Sequence, residues 1–196
     1  MTSMSTTVRR PVLADRAPHL VAREALLIAG AVLLVAASAQ IVVPLPFTPV
    51  PVTGSTFGVL LAAAALGPTR GVAAMTLYLI LGIAGVPVFL GANAGLPYAL
   101  GATGGYLIGF IVAAWVVGQL ARRGLDRRPE GTAAAFVLGS LVVYAFGVPW
   151  LAFVLGVSLS EAVALGALPF LIGDALKAAL AAAVLPLAWS VVGETK

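Results

Sequence analysis

The chain has 196 residues, of which 61% are hydrophobic and only 9% charged, and its mean hydropathy is +1.11. That balance lies far outside the range of water-soluble domains and marks a membrane protein. With no cysteine, disulfides, thiolate metal sites and cysteine nucleophiles are excluded. The formal charge of +4 reflects basic residues in short loops beside apolar stretches, where they report orientation and give no indication of nucleic-acid binding.

The first residues carry Arg9, Arg10, Arg16 and Arg23 among Pro11, Pro18 and scattered charges. Residues 1–23 are expected to form a mobile, disordered cytoplasmic tail, followed by a single transmembrane domain over 24–196. Basic residues followed by Ala37-Ser38-Ala39 resemble a secretory signal, but the apolar run from Ala25 to Val43 is too long for one, so an uncleaved first helix is expected.

No charged residue lies between Glu24 and Arg70, and none between Arg70 and Arg122. Each gap has room for two spans of about 20 residues and a turn. The first span is expected over Ala25–Val43. The loop that follows has prolines at 44, 46, 49 and 51, which remove backbone donors and favour extended chain. A second span over Val52–Leu66 ends at the turn signal Gly67-Pro-Thr-Arg-Gly71, and a third runs from Val72 to Val86. A glycine-rich connection, Pro87–Gly105, leads to a fourth at Tyr106–Leu120, and the basic loop 122–128 to a fifth at Thr132–Trp150. Residues 151–167 read as a reentrant or interfacial connection before a sixth span, Leu168–Val192.

Six spans with the amino terminus inside place ten of the eleven Lys and Arg residues on the cytoplasmic side; the remaining one, Lys177, is within a helix. The positive-inside pattern therefore predicts an all-α membrane protein with six transmembrane helices and both termini cytoplasmic.

Asp174 and Lys177 interrupt the sixth apolar segment three positions apart, on one face of a helix. Each costs about 2.5–3.5 kcal/mol at the centre of a membrane helix, so such residues mark either an internal ion pair that fastens helices or a polar site for a solute. The Pro-rich loop cannot face lipid with unpaired backbone groups, which favours its folding over a cavity. The connection 87–105 is similar: Gly91, Gly95, Gly101, Gly104 and Gly105 would let backbone approach a ligand, and Asn93, Tyr98 and Thr103 supply polar tips. Gly82, Gly109, Gly118 and Gly139 read instead as helix-packing positions. His19, the one histidine, lies in the tail, and no nucleophile elbow, metalloprotease helix or phosphate-cradling loop is present. No catalytic or metal-binding residue is therefore expected, and transport against a gradient would need ion coupling or an energised partner.

Four segments in order carry a family resemblance: Val43-Pro-Leu-Pro-Phe-Thr-Pro-Val-Pro-Val-Thr53, Leu81-Gly-Ile-Ala-Gly-Val-Pro-Val-Phe89, Gly101-Ala-Thr-Gly-Gly-Tyr-Leu-Ile-Gly-Phe110 and Asp174-Ala-Leu-Lys177. Over essentially the whole chain after residue 20, the sequence resembles BioY, the biotin-binding S components of energy-coupling-factor (ECF) transporters. The resemblance implies the six-helix S-component fold in the cell membrane. It also implies capture of biotin from outside, and uptake through a T component and a pair of ATPases. Solitary or homo-oligomeric action stays open. Biotin is implied as transported ligand, with no cofactor. Ser55 stands where the family often has Gln, and Ala102 where it has Pro.

The ureido ring of biotin offers two N–H donors and a carbonyl, its thiophane ring and valeryl chain are apolar, and its tail is a carboxylate. Asp174 is expected to accept from the ureido N–H groups, and Lys177 to engage either the carboxylate or the ureido oxygen. Asn93, Thr53 and Tyr98 are further polar candidates; Phe89 and Tyr106 are candidate walls of an apolar slot. Ala25 and Ala29, at i and i+4, permit close helix approach, and the resemblance implies partner docking there. A solitary ion-coupled carrier, with Asp174 relaying a proton, and an S component for another vitamin are the alternatives. An intramembrane hydrolase is poorly supported, since no Ser–His, Ser–Lys or paired-Asp arrangement is visible.

Overall fold

The computed structural model describes residues 10–16 and 22–192. The tail residues 1–9 and 17–21, His19 included, and the end at 193–196 lie outside the described residues. Three stretches, Gly104–Arg122, Pro129–Leu155 and Leu159–Val192, are long and apolar enough by length and composition to cross a bilayer.

Helix α1 (Arg23–Ala39) ends at Gln40. The Pro-rich loop then forms a short antiparallel hairpin, β1 (Val42–Val43) against β2 (Val52–Thr53), with Val42 opposite Thr53 and Val43 opposite Val52. The extended chain expected there thus closes into a small strand pair, an addition to an otherwise helical fold. Its tip is fixed from outside the loop, where Thr48 Oγ1 donates to the Leu165 carbonyl at 2.8 Å.

Helix α2 (Ser55–Leu66) is apolar all round and largely buried, as a central helix must be. Gly67 (φ 80°) separates it from α3 (Pro68–Ile83). The expected five-residue turn shrinks to this one glycine because Pro68 sits at the first helical position, where no N–H is needed. After α4 (Leu96–Ala99), a single turn within the glycine-rich connection, α5 (Gly104–Arg122) packs against α2, α3 and α6 (Pro129–Leu155). Helix α6 outruns the expected fifth span at both ends, carrying Pro149 in its interior and ending at Gly156 (φ 68°). The connection expected between the last two spans contains α7 (Leu159–Gly166), capped by the Ser158 hydroxyl accepting from the Glu161 N–H. After a turn at Leu168–Phe170, α8 (Leu171–Val192) packs on α6 and α2.

Over residues 10–16 the expectation of a mobile tail is corrected. A short 3-10 turn, Leu13–Arg16, buries Val12 completely, and the Arg10 N–H donates to the Arg122 carbonyl at 3.0 Å. Asp15 pairs with Arg70 at 2.8 Å and with Arg122 at 3.1 Å, and Arg70 also pairs with Glu24 at 2.6 Å. These contacts tie the segment to one end of α1, α3 and α5. Burial works to raise the Asp15 pKa, but the hydrogen bond and charge of Arg70, the Val12 N–H and the Arg122 charge outweigh it and hold the carboxyl below its ordinary value.

Candidate functional site

The bundle holds a cavity with about 640 Å³ of empty space, a figure that includes open solvent at its mouth. Its walls come from nearly every element. The hairpin contributes Val50 to Thr53, α2 begins with Ser55 and Thr56, and α3 supplies Tyr78. Phe89 and Leu90 enter from the loop after α3, Tyr98 from α4, and Tyr106, Leu107 and Phe110 from α5. Helix α6 adds Val143 and Tyr144, and Phe170, Asp174 and Lys177 complete the ring from the α8 side. The lining is mainly apolar, with a few polar groups brought together, the usual constitution of a ligand pocket.

The expected charge pair is formed. Lys177 Nζ donates to Asp174 Oδ1 at 3.0 Å, and the two side chains are 15% and 12% exposed. One helical turn separates them, so both reach the same wall. The other carboxylate oxygen, Oδ2, accepts from the Tyr144 hydroxyl. Tyr144 was not foreseen from sequence, although a phenol among Val142, Val143 and Ala145 is the same kind of polar interruption that singled out Asp174.

Phe89 is fully buried, stacked on Tyr98 at a 5.2 Å centroid distance and set edge-on to Tyr78 at 5.5 Å. Its ring lies so close over Gly82 that a Cβ there would fall 2.0 Å from Cζ. Gly82 thus packs against this loop side chain. Gly105, grouped above with glycines expected to approach a ligand, instead meets α6: a Cβ would lie 2.3 Å from that of Trp150. Tyr106 Oη donates to the Gly166 carbonyl at 2.8 Å, holding its ring in the wall. The Thr53 hydroxyl accepts from the Ser55 N–H at 3.2 Å, steadying the junction of hairpin and α2.

Six of the seven residues singled out for binding, Thr53, Phe89, Tyr98, Tyr106, Asp174 and Lys177, line this one cavity. Asn93 does not. It is exposed, and its short carboxamide donates to the Leu90 carbonyl at 2.7 Å within its own loop. Ala25 and Ala29 lie one turn apart on α1, both exposed, so that face is left uncovered.

A sequence profile of the BioY family matches residues 4–194. The chain belongs to the BioY family. Among relatives, the chain is 37% identical over 117 residues to the biotin transporter BioY of Rhizobium etli, covering 56% of this chain and 63% of that one. With the biotin transporter BioY of Thermotoga maritima it shares 40% identity over 109 residues, covering 54% and 62%. The aligned stretches thus span less than two thirds of those relatives. The crystal structure of the S component for biotin from an ECF-type ABC transporter superposes with a TM-score of 0.66 at 23% identity, covering 87% of this chain and 94% of that chain. The fold is therefore that of an S component, and both relatives named above are biotin transporters.

Proposed function

We propose that this chain is the biotin-binding S component of an ECF transporter, taking biotin from outside the cell in the cavity between the Pro-rich hairpin, the loop after α3 and helix α8. The observation that carries the reading is the cluster of Asp174, Lys177 and Tyr144 in the wall of a mainly apolar cavity. A cluster serving only to join helices would need no space beside it. Here Asp174 retains lone pairs and Lys177 retains two N–H donors beyond their mutual bond. That leaves acceptors for ureido N–H groups and donors for a ureido or carboxylate oxygen, while Phe89 and Tyr106 suit the apolar rings and chain.

The chain crosses the plasma membrane six times as one domain, with both termini cytoplasmic. The basic ends of α3 and α5 then face the cytoplasm, and the hairpin and the 84–95 loop face outward. Uptake uses a T component, which docks on the exposed Ala25–Ala29 face of α1, and two ATPases. Titration of the purified chain with biotin, against thiamine and riboflavin, tests this reading. Saturable binding of biotin alone supports it; preference for another vitamin, or no binding, overturns it.

A further inference from the structure

A second hollow lies between the start of α3 and the end of α5 and shares no residue with the central cavity. It holds about 890 Å³ of empty space, open solvent included. Pro68, Thr69 and Val72 line it from α3, and Trp115, Gln119 and Arg122 from α5. The two helices meet backbone to side beside it: a Cβ on Gly118 would fall 2.4 Å from the Pro68 nitrogen. Trp115, Gln119 and Arg122 are spaced four and then three positions apart, which sets them in one row along α5. Arg122 leans toward the start of α3, since a Cβ on Gly67 would lie 3.3 Å from its Nε.

The row changes character along its length. At the basic end, Asp15 takes Arg122 through Nη1 at 3.1 Å, and the guanidinium has further N–H groups to donate. Thr69 is exposed and adds a hydroxyl, Gln119 adds a carboxamide, and no acidic residue is among the six. Trp115 lies seven positions before Arg122, roughly 10 Å along the helix axis, and is 52% exposed. Ile108, seven positions earlier again, is 41% exposed. Guanidinium, amide, indole and bare aliphatic surface follow one another as headgroup, interface and acyl chain do in a bilayer leaflet, with tryptophan at the level where it is enriched.

We propose that this hollow binds one anionic phospholipid of the cytoplasmic leaflet, its phosphate against Arg122, Thr69 and Gln119 and an acyl chain along Trp115 and Ile108. The inference rests on the membrane orientation proposed above and is independent of what the central cavity binds. Basic hollows between membrane helices on the cytoplasmic side suit such headgroups, and the guanidinium fork matches phosphate oxygens. A zwitterionic lipid fits less well, because no carboxylate lines the hollow to take its cationic group. A soluble anion would leave the Trp115–Ile108 strip without an occupant.

The test uses the full chain in phosphatidylcholine vesicles, with brominated acyl chains on either phosphatidylglycerol or phosphatidylcholine as quenchers of tryptophan fluorescence. The signal of Trp115 is the part missing from Trp115→Phe. Brominated phosphatidylglycerol should half-quench it at about a fivefold lower mole fraction than brominated phosphatidylcholine, the worth of one arginine beside an anionic headgroup. Arg122→Gln should erase that difference. Thr69→Val with Gln119→Leu should reduce it while leaving the Asp15 ion pairs in place, which keeps the test open if Arg122→Gln loosens the terminal segment. Arg128→Gln, at an exposed arginine outside the hollow, should preserve it. Equal quenching of Trp115 by the two lipids in the starting chain overturns the site. Equal losses in Arg122→Gln and Arg128→Gln also overturn it, since they mark a diffuse attraction to the basic end. Release of brominated phosphatidylglycerol by inorganic phosphate, but not by chloride at equal ionic strength, would give the hollow to a free anion and overturn the lipid.

Discussion

The hydroxyl of Tyr144 on α6 donates to one carboxylate oxygen of Asp174 on α8, while Lys177 takes the other at 3.0 Å. Two helices are thereby joined through a single acidic group in the cavity wall. A carboxylate held from both sides has a fixed direction, which suits an acceptor waiting for a ligand's N–H groups.

Tyr144→Phe removes the donor and keeps the ring. We expect the fold to persist and biotin binding to weaken about tenfold, since hydrogen bonds to charged groups contribute about 1.5–3 kcal/mol and part of that is spent orienting Asp174. Calorimetric titration of the variant beside the starting protein checks this; equal affinity would show that Asp174 needs no such orientation.

Gly82→Ala sets a methyl group where the Phe89 ring lies, 2.0 Å from Cζ. The ring must move, because a packed interior has no room to absorb the methyl. Biotin affinity should fall by at least tenfold with helix content unchanged. Pairing the change with Phe89→Leu should recover part of the loss, as a direct clash requires.

Much of the site was legible in the sequence because its members are exceptions to their surroundings. Asp174 and Lys177 stand out as charges in an apolar helix, and the prolines of 44–51 as breaks in a membrane chain. Tyr144 is the same sort of exception, but a phenol costs far less in lipid than a charge, so its signal is weaker. Gln40, whose carboxamide bonds the loop that carries Phe89, was hidden for another reason. Its partners at Phe89 and Ala92 are backbone groups about fifty positions away, which no spacing rule reaches. Asn93 illustrates the opposite error, a polar residue in a glycine-rich loop whose side chain serves the loop itself. Residues 10–16 look like a polar tail in sequence because Asp15 draws its partners from Arg70 and Arg122, both far along the chain.

Asp15→Ala should lower stability by about 1–2 kcal/mol, the scale of a partly exposed ion network, by leaving Arg70 and Arg122 without their shared acceptor. The pH dependence has a definite sign. The Asp15 pKa is depressed in the folded state, so its contribution is complete above the unfolded value near 3.9 and disappears as pH falls through the lower folded value. Thermal melts of the two proteins should therefore differ at pH 7 and converge in strong acid. A constant difference at every pH would show that the carboxylate charge is not responsible.

Ala25→Trp with Ala29→Trp places two bulky rings on the exposed end of α1. Uptake of labelled biotin by cells expressing the transporter should stop, while the purified variant binds biotin as before. Surviving uptake would move the docking face elsewhere.

The most direct measurement is the equilibrium affinity of the purified chain for biotin before and after Lys177→Ala, with circular dichroism on both samples. Truncating one partner of a buried, hydrogen-bonded charge pair at a binding site costs about 2–5 kcal/mol of binding, so affinity should fall by at least about thirtyfold while helix content stays the same. Undiminished biotin binding in Lys177→Ala would contradict the assignment of this cavity as the vitamin's site.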